Sequence, residues 1–300
     1  MDQLLQQLVN GLAWGSIYAL IALGYTMVYG VLRLINFAHG DVYMVGAMAA
    51  FYIAHALGFA VNPSLGGFVV VMLGAMIACA LLGALIERVA YRPLRSQARS
   101  AMLTTAIGVS MLLQFGGQVV FGPDPKFFPQ LIESRPLLHT GGVVVTNIDA
   151  LIAVVSVLLM LGLRWIVLRT RIGLALRAVS FNYDTAALMG INVNTVIATT
   201  FMLGSALAAA AGTMVGLRNP KIDPLMGMMP GIKAFVAAVL GGIGNFPGAV
   251  AGGLLMGVTE TFVAAYLSST YRDAVAFVIL IAVLLVRPAG LFGRVTIEKV

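Results

Sequence analysis

The sequence predicts an all-α, polytopic bundle of about eight or nine transmembrane helices, with one short helix outside the bilayer. Three observations carry this. Sixty per cent of the 300 residues are apolar and 10% are charged, with a mean hydropathy of +1.00. Soluble domains carry about 25% charged residues, and a sphere of this size cannot hide so much apolar surface, so lipid must cover the remainder. The apolar residues form continuous runs rather than period-two alternation, which argues against a β-barrel. The basic residues gather in short segments between those runs, the usual imprint of membrane topology. The net charge of +7 therefore reads as a topology signal and not as a nucleic-acid surface.

A helix needs about 20 apolar residues to cross a bilayer. The runs 8–31, 42–59, 66–86, 101–121, 150–168, 195–216, 247–267 and 271–287 read as spans. A shorter run, 231–244, reads either as a tilted crossing or as a half-helix. No soluble domain interrupts the series, so residues 1–300 read as one transmembrane domain. Met1-Asp2-Gln3 lacks the basic start of a cleavable signal, and the first run is long enough to span.

Lysine and arginine set the orientation. Loop 87–100 holds Arg88, Arg92, Arg95 and Arg99, segment 169–194 holds Arg169, Arg171 and Arg177, and the tail holds Arg287, Arg294 and Lys299. These three segments are expected in the cytoplasm. Loops 122–148 and 217–230 fall on the other side, and nine crossings with an external N-terminus satisfy the parity. The first of these loops carries Pro123, Pro125, Pro129 and Pro136 before Gly141-Gly142-Val143-Val144-Val145, which suits a short hairpin. Segment 169–194 has helix-forming composition from Leu174 to Gly190, and Gly190 suits a C-terminal stop, so a short helix at the membrane surface is expected.

Small residues four apart recur, as in Gly204 and Ala208, Gly212 and Gly216, Gly248 and Gly252, and Gly253 and Gly257. In lipid this spacing lets helix backbones approach closely. Gly241-Gly242-Ile243-Gly244-Asn245-Phe246-Pro247-Gly248 cannot continue as a regular helix. It reads as a tight cytoplasmic turn or as a cavity-lining break, which makes Gly244 and Asn245 pathway candidates. Its Asn-Phe-Pro-Gly resembles Asn36-Phe37-Ala38-His39-Gly40; internal repeats are common in transporters, but a likeness this short also arises by chance.

Ionisable residues at membrane depth point to function by default. Glu260 lies inside its run, where an acid costs about 2.5–3.5 kcal/mol on insertion scales. It reads as a neutral or hydrogen-bonded packing residue, or as a pathway or gating group. Asp41 is placed to cap the second helix; His39 suits a structural hydrogen bond, with Asn36 and His39 the pathway candidates at that turn. Arg164 can snorkel to an interface, and Lys233 and Arg272 fall near outer boundaries with no special role. The lone Cys79 excludes an intrachain disulfide, and three scattered histidines form no metal set. Gly-x-x-x-x-Gly-Lys-Ser/Thr, His-Glu-x-x-His and Gly-x-Ser-x-Gly are all missing. No catalytic residue, metal or cofactor is expected, and a membrane-embedded enzyme finds no support.

Five stretches in order resemble one family. They are Gly15-Ser-Ile-Tyr-Ala-Leu-Ile-Ala-Leu-Gly24 with Leu34-Ile-Asn-Phe-Ala-His-Gly-Asp-Val-Tyr-Met-Val-Gly46, Glu87-Arg-Val-Ala-Tyr-Arg-Pro-Leu-Arg95, Gly173-Leu-Ala-Leu-Arg-Ala178 through Ala186-Ala-Leu-Met-Gly-Ile-Asn-Val193, Leu240-Gly-Gly-Ile-Gly-Asn-Phe-Pro-Gly-Ala249, and Arg287-Pro-Ala-Gly-Leu-Phe-Gly293. Nearly the whole chain resembles the branched-chain amino acid ABC permeases of the LivH type. The resemblance implies a non-enzymatic permease subunit, multi-pass in the bacterial inner membrane with a cytoplasmic C-terminus. Its implied partners are a second related permease, two cytoplasmic ATPases and an extracytoplasmic binding protein, so the missing nucleotide loop belongs on a partner. It also implies that 169–194 is the coupling segment to the ATPase, with Arg177, Ala186, Ala187 and Gly190 as its contacts. Asp184-Thr185-Ala186-Ala187 departs from the general Glu-Ala-Ala-x-x-x-Gly pattern, and Gly190 comes one residue early. Related permeases carry urea, short amides or sugars; Asn36-Phe-Ala-His-Gly40 looks closer to the amino-acid and urea group. A secondary transporter using Glu260 as an ion site is the competing class.

Overall fold

The computed structural model describes residues 2–95, 97–140 and 142–293. The tail residues Arg294 and Lys299, used above for orientation, lie outside the described residues. Eleven α-helices follow in order: α1 (Asp2–Leu32), α2 (His39–Ala56), α3 (Leu65–Ile86), α4 (Arg99–Phe121), α5 (Asn147–Arg169), α6 (Arg171–Phe181), α7 (Tyr183–Leu188), α8 (Val193–Arg218), α9 (Met228–Gly241), α10 (Phe246–Tyr266) and α11 (Ala274–Val286). One π turn, Glu87–Tyr91, extends α3. Outside the helices, β2 (Pro136–Thr140) and β3 (Val143–Thr146) form the expected hairpin. Short strands β1 (Lys126–Phe127) and β4 (Lys221–Ile222) pair antiparallel and tie the loop after α4 to the loop after α8.

The bundle is layered by polarity in the sense that lipid demands. α1 and α8 form the centre and are mostly buried, whereas α3 and α5 are the most apolar long helices and turn most of their surface outward. Lipid tails are as apolar as leucine, so greasy side chains gain nothing from moving inward. Small residues that let backbones touch are what the interior needs. The seam between α1 and α10 makes the point. A methyl group at Gly11 would lie 2.7 Å from the Val258 Cα, and one at Gly15 2.7 Å from the Leu254 Cα. Gly257 packs as closely against Gly15.

Two helices start inside the bundle, short of the end of α1. α1 ends at Leu32, and Arg33 takes a left-handed conformation (φ 54°) that turns the chain back. Residues 34–38 then re-enter, so that α2 begins with the His39 ring against Gly24, eight residues and about 12 Å inside the end of α1. α9 starts beside it: a methyl group on Gly40 would lie 2.7 Å from the Gly227 carbonyl oxygen and 2.8 Å from the Gly231 Cα. A turn over residues 223–227, with the Met226 N–H donating to the Asp223 carbonyl, joins β4 to this start. The all-α membrane bundle is the expected one; among the described residues, six helices are long and apolar enough to cross alone: α1, α3, α4, α5, α8 and α10. The runs 42–59 and 271–287 form shorter α2 and α11, and 231–244 forms the 14-residue α9. At about 1.5 Å per residue, neither α9 nor α11 spans a hydrocarbon core of about 30 Å.

Contacts sort the loops by end. The N-terminal turn of α1 meets the hairpin through the Val144 N–H donating to the Gln6 Oε1 at 2.7 Å. At the opposite end, the Tyr183 hydroxyl donates to the Val31 carbonyl, and the Arg95 Nη1 donates to the Asn194 Oδ1 at 2.7 Å. Residues 287–293 fold onto the α9–α10 turn at that same end, with the Leu291 N–H donating to the Leu240 carbonyl at 2.8 Å. The arginine-rich loop after α3, the α6–α7 segment and the start of the tail thus share one end. The seam yields a prediction. Gly257→Leu should destabilise the protein by about 1–3 kcal/mol or more, as overpacking does. Gly108→Leu, on α4 with open space around it, should leave thermal melting in detergent nearly unchanged. Equal melting of the two variants would rule out the seam as a tight contact.

Candidate functional site

The two interior helix starts border a cavity of about 470 Å³ between α2, α4, α9 and α11. Asp41 lies in the first turn of α2 and lines it, together with Ser110 and Gln114 one turn apart on α4. The Ser110 hydroxyl donates to the Asp41 Oδ2 at 2.5 Å, and the Gln114 Nε2 donates to the Oδ1 at 3.0 Å. This overturns the expected capping role: Ala38 holds the N-cap position without a side-chain bond, and Asp41 reaches across to α4 instead. The remaining walls are mainly apolar, including Phe37, Ile107, Met111 and Phe235.

The re-entrant segment holds its two predicted residues in different ways. Asn36 is buried; its Oδ1 accepts the Ala38 N–H at 3.2 Å and the Tyr91 hydroxyl at 2.8 Å, fastening the segment to the π turn after α3. His39 is buried against α1, edge-on to Tyr25 with ring centroids 4.8 Å apart. Its Nε2 has no hydrogen-bond partner among the described residues.

Glu260 sits near the other end, away from that cavity, and is an ion-pair partner rather than a neutral packing residue. The Lys233 Nζ lies 2.9 Å from its Oε1, and the Arg272 guanidinium pairs with the same oxygen. Lys233 also reaches the Asp273 Oδ1 at 2.6 Å. Lys233 and Arg272 therefore have the specific role that their assignment to span boundaries denied them. A second pair, Arg218 with Asp149, lies nearby, and the guanidiniums of Arg218 and Arg272 stand 5.8 and 5.4 Å from the Trp14 ring. The tools for finding the network were present in the sequence, as Lys233 falls three residues inside the 231–244 run, and only the facing of α9 and α10 was missing.

At the end shared by the basic loops, the expected single helix of 174–190 is two. α6 begins at Arg171, and Asn182 breaks it from α7 by accepting the Thr185 N–H with its side chain at 2.9 Å. Gly190 (φ 83°) ends α7, where the Ile191 N–H reaches back to the Ala186 carbonyl at 3.1 Å. Ala186 is buried while Ala187 and Arg177 face out. Tyr183 bridges to α1 as described; partial burial raises its phenol pKa, with Arg95 and Arg33 opposing. Arg95 pairs with the buried Glu87, and burial lowers its own pKa. Gly244 and Asn245 form the α9–α10 turn: the Asn245 Oδ1 accepts the Gly248 N–H at 3.2 Å and its Nδ2 donates to the Phe292 carbonyl at 2.9 Å. Neither residue lines the cavity at Asp41.

The ion network carries a prediction. Glu260→Gln leaves the buried Lys233 with Asp273 alone and takes the carboxylate from the half-buried Arg272; breaking a buried pair costs about 3–5 kcal/mol. Its melting temperature in detergent should fall clearly, and adding Lys233→Met should restore part of the loss. Additive losses in the double variant would mean that the two side chains are not coupled.

Comparison with known proteins bears on the whole chain. The family model described as "Branched-chain amino acid transport system / permease component" matches residues 7–284. The high-affinity branched-chain amino acid transport system permease protein BraD of Pseudomonas aeruginosa is 46% identical, over 99% of this chain and 98% of its own length. The corresponding LivH proteins of Salmonella typhimurium and Escherichia coli K12 are 45% and 44% identical, each over 99% of this chain and 97% of their own. A likeness this uniform from end to end, on a bundle of apolar helices, assigns the chain: it belongs to the permease component family of branched-chain amino acid transport systems.

Proposed function

We propose that this chain is the membrane permease of an ATP-binding-cassette importer and forms part of the path for branched-chain amino acids across the bacterial inner membrane. The observation that carries this reading is the full-length identity to BraD and LivH permeases. In this reading it works beside a second, related permease, with two ATPases on the cytoplasmic side and a substrate-binding protein outside. The end bearing the arginine-rich loop, α6–α7 and the start of the tail faces the cytoplasm, in keeping with the positive-inside rule. ATP is hydrolysed on the partner subunits, which suits a chain without a nucleotide-binding loop.

The α6–α7 segment is the contact with the ATPase. Phe181, Leu188 and Met189 are 88%, 87% and 79% exposed, an apolar tip that suits a cleft on another protein. Ala187 on the outer face permits close approach, and Ala186 on the inner face keeps α7 against the bundle. Coupling requires a contact that differs between two states of the transporter. The Tyr183 bond to Val31 provides a route, since it joins α7 to the end of α1, two residues before the left-handed turn at Arg33. Movement of α7 then bears on the re-entrant segment and on the start of α2.

Two experiments test this reading. The complex reconstituted in liposomes should take up leucine only with ATP and a functional ATPase; transport by this chain alone on a proton or sodium gradient would favour a secondary transporter instead. Ala187→Trp should cut coupled uptake about ten-fold or more while membrane insertion persists. Val89→Trp, at an exposed position in the other basic segment, should change it little. Wild-type assembly, hydrolysis and uptake in Ala187→Trp would remove α7 as the coupling contact.

A further inference from the structure

Four carboxylates are buried among the described residues: Asp41, Glu87, Asp149 and Glu260. Three of them face a cation, respectively Arg95 for Glu87, Arg218 for Asp149, and Lys233 with Arg272 for Glu260. Asp41 is different. It is 2% exposed, and its partners are the neutral Ser110 and Gln114. A buried carboxylate is expensive without a counter-charge, and two neutral donors leave each oxygen with an acceptor site to spare. Asp41 also borders a cavity, about 470 Å³, within the size of small-molecule sites, roughly 300–1,000 Å³. The missing counter-charge and the empty volume meet at one place.

The rest of the cavity describes what would bring that cation. The start of α9 lines it at Gly227, Met228 and Gly231, close to Gly40; the Leu225 and Gly227 carbonyls hold the Met228 and Gly231 N–H groups, so what this end offers an anion is the partial positive charge of a helix N-terminus. Ile107, Met111 and Phe235 supply an apolar wall. One negative group, one positive pole and a greasy wall complement a zwitterion with an uncharged aliphatic side chain. α4, which contributes Ser110 and Gln114, is the barest of the six long helices, with 11% of its span buried, yet it is among the least apolar. Its outer face is apolar, with Ile107, Met111, Leu112, Phe115, Val119 and Val120 exposed, so lipid or an apolar protein neighbour covers it while Ser110 and Gln114 turn toward Asp41.

We propose that this cavity is a mid-membrane relay site for aliphatic amino acids, in which Asp41 takes the α-ammonium group and the N-terminus of α9 takes the carboxylate. The proposal rests on the importer reading above. The substrate's own ammonium supplies the counter-charge that the fold withholds, so occupancy relieves Asp41 and departure restores the strain.

The test uses the assembled permease–ATPase complex in nanodiscs, with Cys79→Ala and Met111→Cys. Millimolar leucine should slow maleimide labelling at position 111 about three-fold or more, and 4-methylpentanoate, which lacks the ammonium, should not. Asp41→Asn should abolish that protection and lower leucine uptake in liposomes about ten-fold or more. Binding-protein affinity and docking should stay at wild-type levels, and Asp41→Glu should recover much of the uptake. Equal protection by leucine and 4-methylpentanoate, wild-type uptake in Asp41→Asn, or protection by sodium chloride without leucine would each overturn the proposal. If Asp41→Asn fails to assemble, the comparison of the two ligands on the Asp41-bearing complex decides. No leucine uptake by the wild-type complex would instead remove the importer reading on which the site rests.

Discussion

Two helices of this chain begin inside the bundle, about two turns short of the end of α1, and a membrane protein tolerates such starts only where protein surrounds them. The first N–H groups of a helix have no partner within it, and hydrocarbon offers none. α2 and α9 find partners in the turns before them, whose Asn36, Ala38, Leu225 and Gly227 carbonyls accept their first N–H groups, and they start against each other, with Gly40, Gly227 and Gly231 bringing the backbones together. The close approach depends on the absence of side chains at those glycines. It also fixes the central position of α1, whose Gly24 leaves room for the His39 ring. Much of the internal architecture follows from housing these two starts.

The same constraint governs the charges. Low dielectric makes each buried ion dependent on a specific partner. Toward the end that carries the β-hairpin, Glu260, Lys233, Arg272 and Asp273 form one network beside the Arg218–Asp149 pair. At the other end Glu87 is held by Arg95. The first group joins α9, α10 and the start of α11 and ties α5 to α8, whereas the Glu87–Arg95 pair staples the end of α3 to the turn that follows it. Among the buried carboxylates of the described residues, Asp41 alone is held by neutral donors, which is what makes it the candidate partner for a zwitterion in the proposed relay site.

The re-entrant segment links these levels. It leaves α1 next to the carbonyl that Tyr183 of α7 engages, is fastened by Asn36 to Tyr91, and delivers Asp41 to the cavity. In the proposed function, a short stretch of chain thus connects the surface on which an ATPase would act with the place where substrate would pause. Rigid helices on both sides give such a stretch leverage, because α1 and α8 are packed too closely to deform gradually.

Hydrophobic runs and basic segments determined a great deal by themselves. Helix boundaries fall close to the apolar runs, the external hairpin falls between its prolines and glycines, and Gly190 ends α7, because each depends on local chemistry. The resemblance motifs reach the correct family because they run in order along nearly the whole chain. Local pattern was insufficient where a residue's role is set by what lies across from it. Asp41 looked like a cap because a carboxylate in a first helical turn usually is one, and only the placement of α4 supplied Ser110 and Gln114. Lys233 and Arg272 looked like boundary residues until α9, α10 and the start of α11 brought them to Glu260. The depth at which α2 and α9 begin was equally illegible, since hydropathy registers how apolar a run is but not where in the bilayer its first turn sits. Sequence determined which segments belong in lipid, because that depends on each segment's own transfer free energy. Tertiary structure decided which buried charges are satisfied, because an ion's partner is a matter of distance between helices far apart in the chain.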